Sequence, residues 1–138
     1  MRRIVPLAFA VLLALPRIAA AEEAVLPHAW LYGAWTGGVF PPPTTLTTQE
    51  CLANPTIIFT RDLVLHTTML NIGYAQEAVD AVRATQDGVE FRLAGPVPSG
   101  LFGCGDAPSL RVRRGADKQI SFPNCTEMPY PLLRCADR

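Results

Sequence analysis

Trp30-Leu31-Tyr32-Gly33-Ala34-Trp35-Thr36-Gly37-Gly38-Val39-Phe40, closed by Pro41-Pro42-Pro43, is the stretch whose reading decides the fold. It contains both tryptophans of the chain. Side chains alternate across a strand. Leu31, Gly33, Trp35, Gly37 and Val39 therefore share one face, and Trp30, Tyr32, Ala34 and Thr36 the other. Glycines weaken a strand and mark curvature or the close approach of another backbone. The three prolines have no N–H to give to a ladder and end the run. The stretch reads as the first strand of a small β-barrel or sandwich, with Trp35 as the core anchor.

On its N-terminal side, Met1-Arg2-Arg3 precedes the uncharged run Ile4–Leu15, and Ala19-Ala20-Ala21 precedes Glu22-Glu23. Those are the three parts of a secretory signal peptide, expected over residues 1–21. The apolar run is too short to cross about 30 Å of hydrocarbon as a helix. Residues 22–29 then form a loose N-terminal arm and residues 30–138 a single β-rich domain. A periplasmic or secreted protein with no membrane span after leader removal is expected. Formal net charge is zero, and the leader holds three of the twelve basic side chains. The remainder is mildly acidic, which speaks against a nucleic-acid binder.

Cys51, Cys104, Cys125 and Cys135 all follow the leader. Four cysteines in a small exported chain point to two disulfides. None of the spacings is the close pair of a zinc site. Cys104 and Cys125 flank an expected hairpin turn at Gly115-Ala116-Asp117, which favours their pairing and leaves Cys51 with Cys135. Cys125–Cys135 with Cys51–Cys104 is the rival arrangement.

Farther along, Thr47-x-x-Glu50 fits a capping box for one helical turn at Cys51-Leu52-Ala53. Thr56–Thr60 and Leu63–Thr68 are rich in β-branched residues and read as strands separated by Arg61-Asp62. Residues 76–85 are read as a strand, because Gln86-Asp87-Gly88 is a hairpin signal and Val89–Leu93 alternates. Helix is the alternative there, since Ala75, Ala78, Val79 and Val82 have helical spacing. Ala94–Pro108 is a Pro- and Gly-rich loop. Ser109–Arg114 and Lys118–Phe122 form a hairpin, and Pro123–Arg138 an irregular tail laid over one end of the sheet. The expected fold is all-β: an antiparallel barrel or sandwich of six to seven strands, with at most one short helical turn. Trp35, Phe59, Leu65, Phe91, Val112 and Phe122 are its candidate core.

Motifs for nucleotide, protease or esterase chemistry are absent from the sequence. His28 sits in the arm. His66 alternates with Val64 and Thr68 on a face read as solvated, away from any nucleophile pattern. Glu77, Asp80 and Glu90 are the carboxylates open to acid–base work, and a solvated strand face explains them as well. Gly103-Cys104-Gly105-Asp106 reads as a disulfide in a glycine turn rather than a reactive thiol. Asn124-Cys125-Thr126 matches the glycosylation triplet, a pattern frequent by chance. Arg111 and Arg113 project on one side of their hairpin. They suit an acidic partner or protection of an edge strand.

Gly33-Ala34-Trp35 resembles the G-x-W motif on the first strand of lipocalin and calycin barrels. With the preceding arm, it is also similar to small periplasmic inhibitors of secreted metalloproteases. The resemblance covers about a dozen residues, and the four cysteines and the Pro-rich entry to the second strand depart from it. It implies a compact barrel that binds rather than catalyses. The expected function is a non-catalytic exported binding protein, an inhibitor of a hydrolase, with the arm and an exposed Tyr32 as contacts. The alternatives are a carrier of a small apolar ligand within the barrel, and a hydrolase built on the carboxylates or His66. No cofactor and no metal is implied.

Overall fold

The computed structural model describes residues 25–53, 55–68, 71–95, 101–105, 109–123 and 125–135. The expected leader, arm residues 22–24, Asp106 and Asn124 lie outside them. The fold is a closed antiparallel barrel of eight strands in sequence order. The strands are β1 (Gly33–Gly37), β2 (Thr56–Phe59), β3 (Leu63–Thr68), β4 (Asn71–Ala84), β5 (Gly88–Ala94), β6 (Ser109–Arg114), β7 (Gln119–Ser121) and β8 (Leu132–Arg134). Each pairs with the next, and β8 returns to pair with β1 through Trp35–Arg134, Thr36–Leu133 and Gly37–Leu132.

The expected six to seven strands are thus corrected to eight. The missing strand is β8, which lies in the segment read as an irregular tail. Its three residues are too few to show a period. What holds them extended is the pairing with β1 and β7, which only the closed barrel provides. The helical content also exceeds one turn: α1 spans Thr48–Ala53, and 3₁₀ turns occupy Ala29–Leu31 and Leu101–Gly103. Trp30 therefore lies in a turn, and the first strand starts at Gly33. Helix α1 has the reciprocal box expected of it. The Thr47 backbone N–H donates to Glu50 Oε2 at 2.7 Å, and the Glu50 N–H donates to Thr47 Oγ1 at 3.2 Å.

Strand β4 resolves the choice between strand and helix at residues 74–85. Val79 pairs with Leu93, but Ala81 pairs with Arg92, so Asp80 is an extra residue in a β-bulge. A bulge resets the alternation. Val79 and Val82 both turn toward the core for that reason, and the apparent helical spacing is the imprint of the bulge.

Large apolar side chains of the described residues occupy the barrel interior. Trp35, Ile57, Phe59, Val64, Phe91, Leu110, Val112, Ile120, Phe122 and Leu132 are all buried, and Phe59 stacks on Phe91 with ring centres 5.5 Å apart. Of the expected core, Leu65 is the exception: it is half-buried, while Val64 and His66 face inward. A shift of one residue in phase exchanges the two faces of a strand, and His66 was placed on the wrong one. Ala75 lies opposite His66 in β4, which leaves room for the ring.

Gly33 has φ +117°, a backbone that a side-chain-bearing residue rarely adopts, and the Arg134 guanidinium packs 3.5 Å from where a Cβ would stand. Arg134 in turn lies over the Trp35 ring, 5.6 Å from its centre, and donates from Nη2 to the Tyr32 carbonyl at 2.7 Å. The Trp35 indole N–H donates to the Leu31 carbonyl at 2.8 Å. Gly33 and Trp35 thus close the barrel against β8.

Val39, Phe40, Pro41, Pro42, Pro43, Leu46 and Pro55 line a pocket beside Thr36 of β1. Thr36 is buried there and donates from Oγ1 to the Pro55 carbonyl at 3.0 Å. The cysteines pair as Cys51–Cys135 and Cys104–Cys125. The first ties α1 to the chain just after β8, and the second ties the loop after β5 to the segment after β7.

Candidate functional site

The strand directions define two ends. The arm enters at one, beside the turns at 60–62, 85–87 and 115–118. The chain leaves β1, β5 and β7 at the other.

At the arm end the chain folds in sooner than expected. His28, assigned to a loose arm, is buried, and its Nε2 lies 3.0 Å from the Arg61 carbonyl. Its ring meets Tyr32 and Phe91 edge-on at 5.3 Å. Tyr32 was expected as an exposed contact, but it is half-buried and its hydroxyl is enclosed without a hydrogen-bond partner. The 3₁₀ turn at Ala29–Leu31 causes both changes, because it folds the chain back across the barrel mouth.

That turn presents Trp30 instead. The Arg114 guanidinium lies over the Trp30 ring, 4.1 Å from its centre, a cation–π distance. Beside the pair opens a cleft of about 430 Å³, lined by Pro27, Trp30, Thr85, Gln86, Asp87 and Arg114 among others. The Arg114 backbone N–H donates to the Asp87 carbonyl at 2.8 Å, fixing the end of β6 to the β4–β5 turn. Arg113 donates from Nε to Asp87 Oδ2 at 2.6 Å. That hydrogen bond and charge hold the Asp87 carboxyl below its usual range. The hairpin beyond β6 turns at Asp117-Lys118, both at positive φ, rather than at Gly115-Ala116-Asp117. Sequence reasoning found the basic hairpin but not the Trp30–Arg114 stack, because nothing in the sequence marks the barrel closure that joins them.

Arg111 and Arg113 do share the outer face of β6. Edge protection does not explain them, since β6 runs between β5 and β7 in a closed sheet. They belong to a charged wall across β4, β5 and β6. Asp80 accepts from Arg92 Nε at 2.6 Å; Glu90 pairs with Arg83, accepts from Ser109 Oγ at 2.9 Å and faces Arg111 across the ladder. Arg83 first, then Ser109, hold the Glu90 carboxyl below its usual range. A carboxyl kept ionised in this way is a poor proton donor near neutral pH.

At the far end, His66 is 8% exposed and neither ring nitrogen has a hydrogen-bond partner. Phe102 meets it edge-on at 5.0 Å and stacks on Phe122. Glu77, the register partner of Val64 in β4, has Oε1 3.9 Å from His66 Nε2, beyond hydrogen-bond reach. Burial lowers the His66 pKa, and the weaker pulls of Glu77 and Glu127 oppose that shift. A histidine with a depressed folded pKa stays neutral in the fold, while the unfolded chain takes up the proton first. Its stabilising contribution is present above about pH 6.5 and is lost as the pH falls toward the folded value. A series of urea midpoints is expected to fall between about pH 7 and pH 5, and His66→Gln to flatten that fall. An unchanged slope in the variant would assign the pH dependence to other groups.

Among the described residues, no group of three or more His, Cys, Asp or Glu side chains is placed to hold a metal ion, and no helix is long and apolar enough to cross a membrane. All four cysteines are in disulfides, so Cys104 offers no thiol. Comparison with protein-family models, with curated proteins and with solved structures finds no match to this chain.

Proposed function

We propose that this chain is an exported, non-catalytic binding protein that grips a protein partner with the arm end of its barrel. The observation that carries the reading is the cleft beside Trp30 and Arg114, set on a barrel whose interior is occupied by its own side chains. Tryptophan and arginine are the residue types most enriched at the energetic centres of protein interfaces. Here the two side chains lie against each other, the guanidinium 4.1 Å from the ring centre, which lowers the side-chain entropy left to lose on binding. The two disulfides are compatible with an oxidising compartment outside the cytoplasm, and the Met1–Ala21 leader pattern supports the same placement. A ligand carrier of the lipocalin kind requires open volume where Phe59, Phe91 and Leu110 stand. A hydrolase is disfavoured by carboxylates already engaged by Arg83, Arg92 and Arg113.

The partner class tested first is a secreted or periplasmic hydrolase, following the resemblance of Gly33–Trp35 and the preceding arm to periplasmic protease inhibitors. Purified mature chain is expected to inhibit at least one protease secreted by its own source, and deletion of residues 22–26 to relieve that inhibition at least tenfold. Unchanged activity of every such protease at micromolar chain would remove the inhibitor reading.

A further inference from the structure

We infer that the Trp30–Arg114 cleft recognises a carboxylate, carried on an acidic side chain of an extended segment of the partner protein. The inference rests on the binding reading above and deepens it. Three observations lead to it. First, Arg114 is exposed and its guanidinium lies over the Trp30 ring. The guanidinium carries N–H donors along its edges. Those edges match the two oxygens of a carboxylate. Secondly, Asp87, the acidic residue lining the cleft, is occupied by the neighbouring Arg113. Among the described residues lining the cleft, Asp87 supplies the carboxylate, and Arg113 rather than Arg114 engages it. Thirdly, the remaining wall suits a short peptide. Pro27 and the Trp30 ring give an apolar side, and the Thr85 hydroxyl and Gln86 amide give a polar one.

The geometry also sets the expected selectivity. Arg114 is anchored through its own backbone to the β4–β5 turn, so its stem starts from a fixed point. A planar fork held on an aromatic ring should distinguish a carboxylate from an amide of equal size, because the amide offers one acceptor and no charge. Lysine at the same position would keep the charge and lose the fork.

The test uses ¹⁵N-labelled mature chain and capped pentapeptides, Ac-Ala-Leu-Asp-Leu-Ala-NH₂ and its Asn counterpart, with inorganic phosphate as a third probe. The Trp30 indole N–H and Arg114 Nε–H resonances are followed by NMR. The expected result is a saturable shift of both signals by the Asp peptide, at least tenfold weaker for the Asn peptide and for phosphate. Arg114→Lys and Arg114→Gln should both lose the response, while Arg111→Gln, on the outer wall away from the cleft, should keep it. Equal response to the Asp and Asn peptides, or to phosphate, would overturn the inference. So would the absence of any shift at millimolar peptide, or equal loss in Arg111→Gln. Protease inhibition that is relieved by removing the arm but unaffected by Arg114→Gln would remove this inference and leave the binding reading intact. Absence of inhibition by the wild-type chain would remove that reading instead.

Discussion

Replacing Trp35 with alanine is expected to lower the unfolding free energy by about 3–5 kcal/mol, the usual cost of deleting a buried tryptophan or phenylalanine. Trp35 is 2% exposed, pairs with Ile57 of β2 and Arg134 of β8, and donates its indole N–H to the Leu31 carbonyl. Three separate losses follow from its removal. Apolar surface is no longer buried, a cavity opens at the strand that closes the barrel, and the Arg134 guanidinium loses the ring it lies on. Small domains are stable by only about 5–15 kcal/mol, so the variant should sit near the limit of folding. Trp35→Phe keeps most of the apolar volume and lacks the N–H, so it should fall between wild type and alanine. Urea denaturation followed by far-UV circular dichroism measures all three. A midpoint for Trp35→Ala within error of wild type would show that the barrel is organised around something else.

Removal of the Cys51–Cys135 bridge should have the next largest effect, and should exceed removal of Cys104–Cys125. The bridges span 84 and 21 residues of sequence. Loop-closure entropy alone then gives about 4–5 kcal/mol for the first and about 3 kcal/mol for the second. The longer bridge also has a structural consequence that the entropy does not include. β8 has three residues, and the chain just beyond it is held by the bridge and by the Cys135 N–H donating to the Ala34 carbonyl at 2.9 Å. Released, β8 should fray from β1 and leave two open sheet edges, which invite pairing with other chains. The paired variants Cys51→Ala/Cys135→Ala and Cys104→Ala/Cys125→Ala are compared by urea denaturation, by amide exchange at Ala34 and Thr36, and by light scattering. Greater destabilisation from loss of the shorter bridge would contradict this account.

Several features were legible because they are local. Enrichment in β-branched residues marks β2 and β3; the Gln86-Asp87-Gly88 turn marks the hairpin that makes residues 76–85 a strand. Thr47 and Glu50 cap α1 through contacts three residues apart. The count and positions of the cysteines, with one hairpin between two of them, were enough to favour the pairing seen. Trp35 declared itself as the one aromatic on a strand face otherwise made of Leu31, Gly33, Gly37 and Val39.

The candidate site was only half legible. Arg111 and Arg113 could be read as basic residues on one side of a hairpin, but the different roles of Arg111, Arg113 and Arg114 could not. Arg113 is spent on Asp87 and Arg111 faces Glu90 across β5, while Arg114 turns to Trp30. Tyr32 was the expected contact aromatic, and Trp30 was read only as a member of the first strand. The 3₁₀ turn that folds back over the barrel mouth chose Trp30, and the period of the sequence does not contain that turn. His66 shows the same limit: Val64 and His66 share a face as alternation requires, but alternation does not say which face is inside.

The sequence by itself determined that this chain is β-rich, stapled twice and anchored on one indole, because propensity, turn chemistry and side-chain alternation act within a few residues. Only the tertiary structure decided the eighth strand, the inward face of His66, and the meeting of Trp30 with Arg114. Those depend on closure of the sheet, which brings the two ends of the chain together at Trp35 and Arg134, and no local rule carries information across that distance.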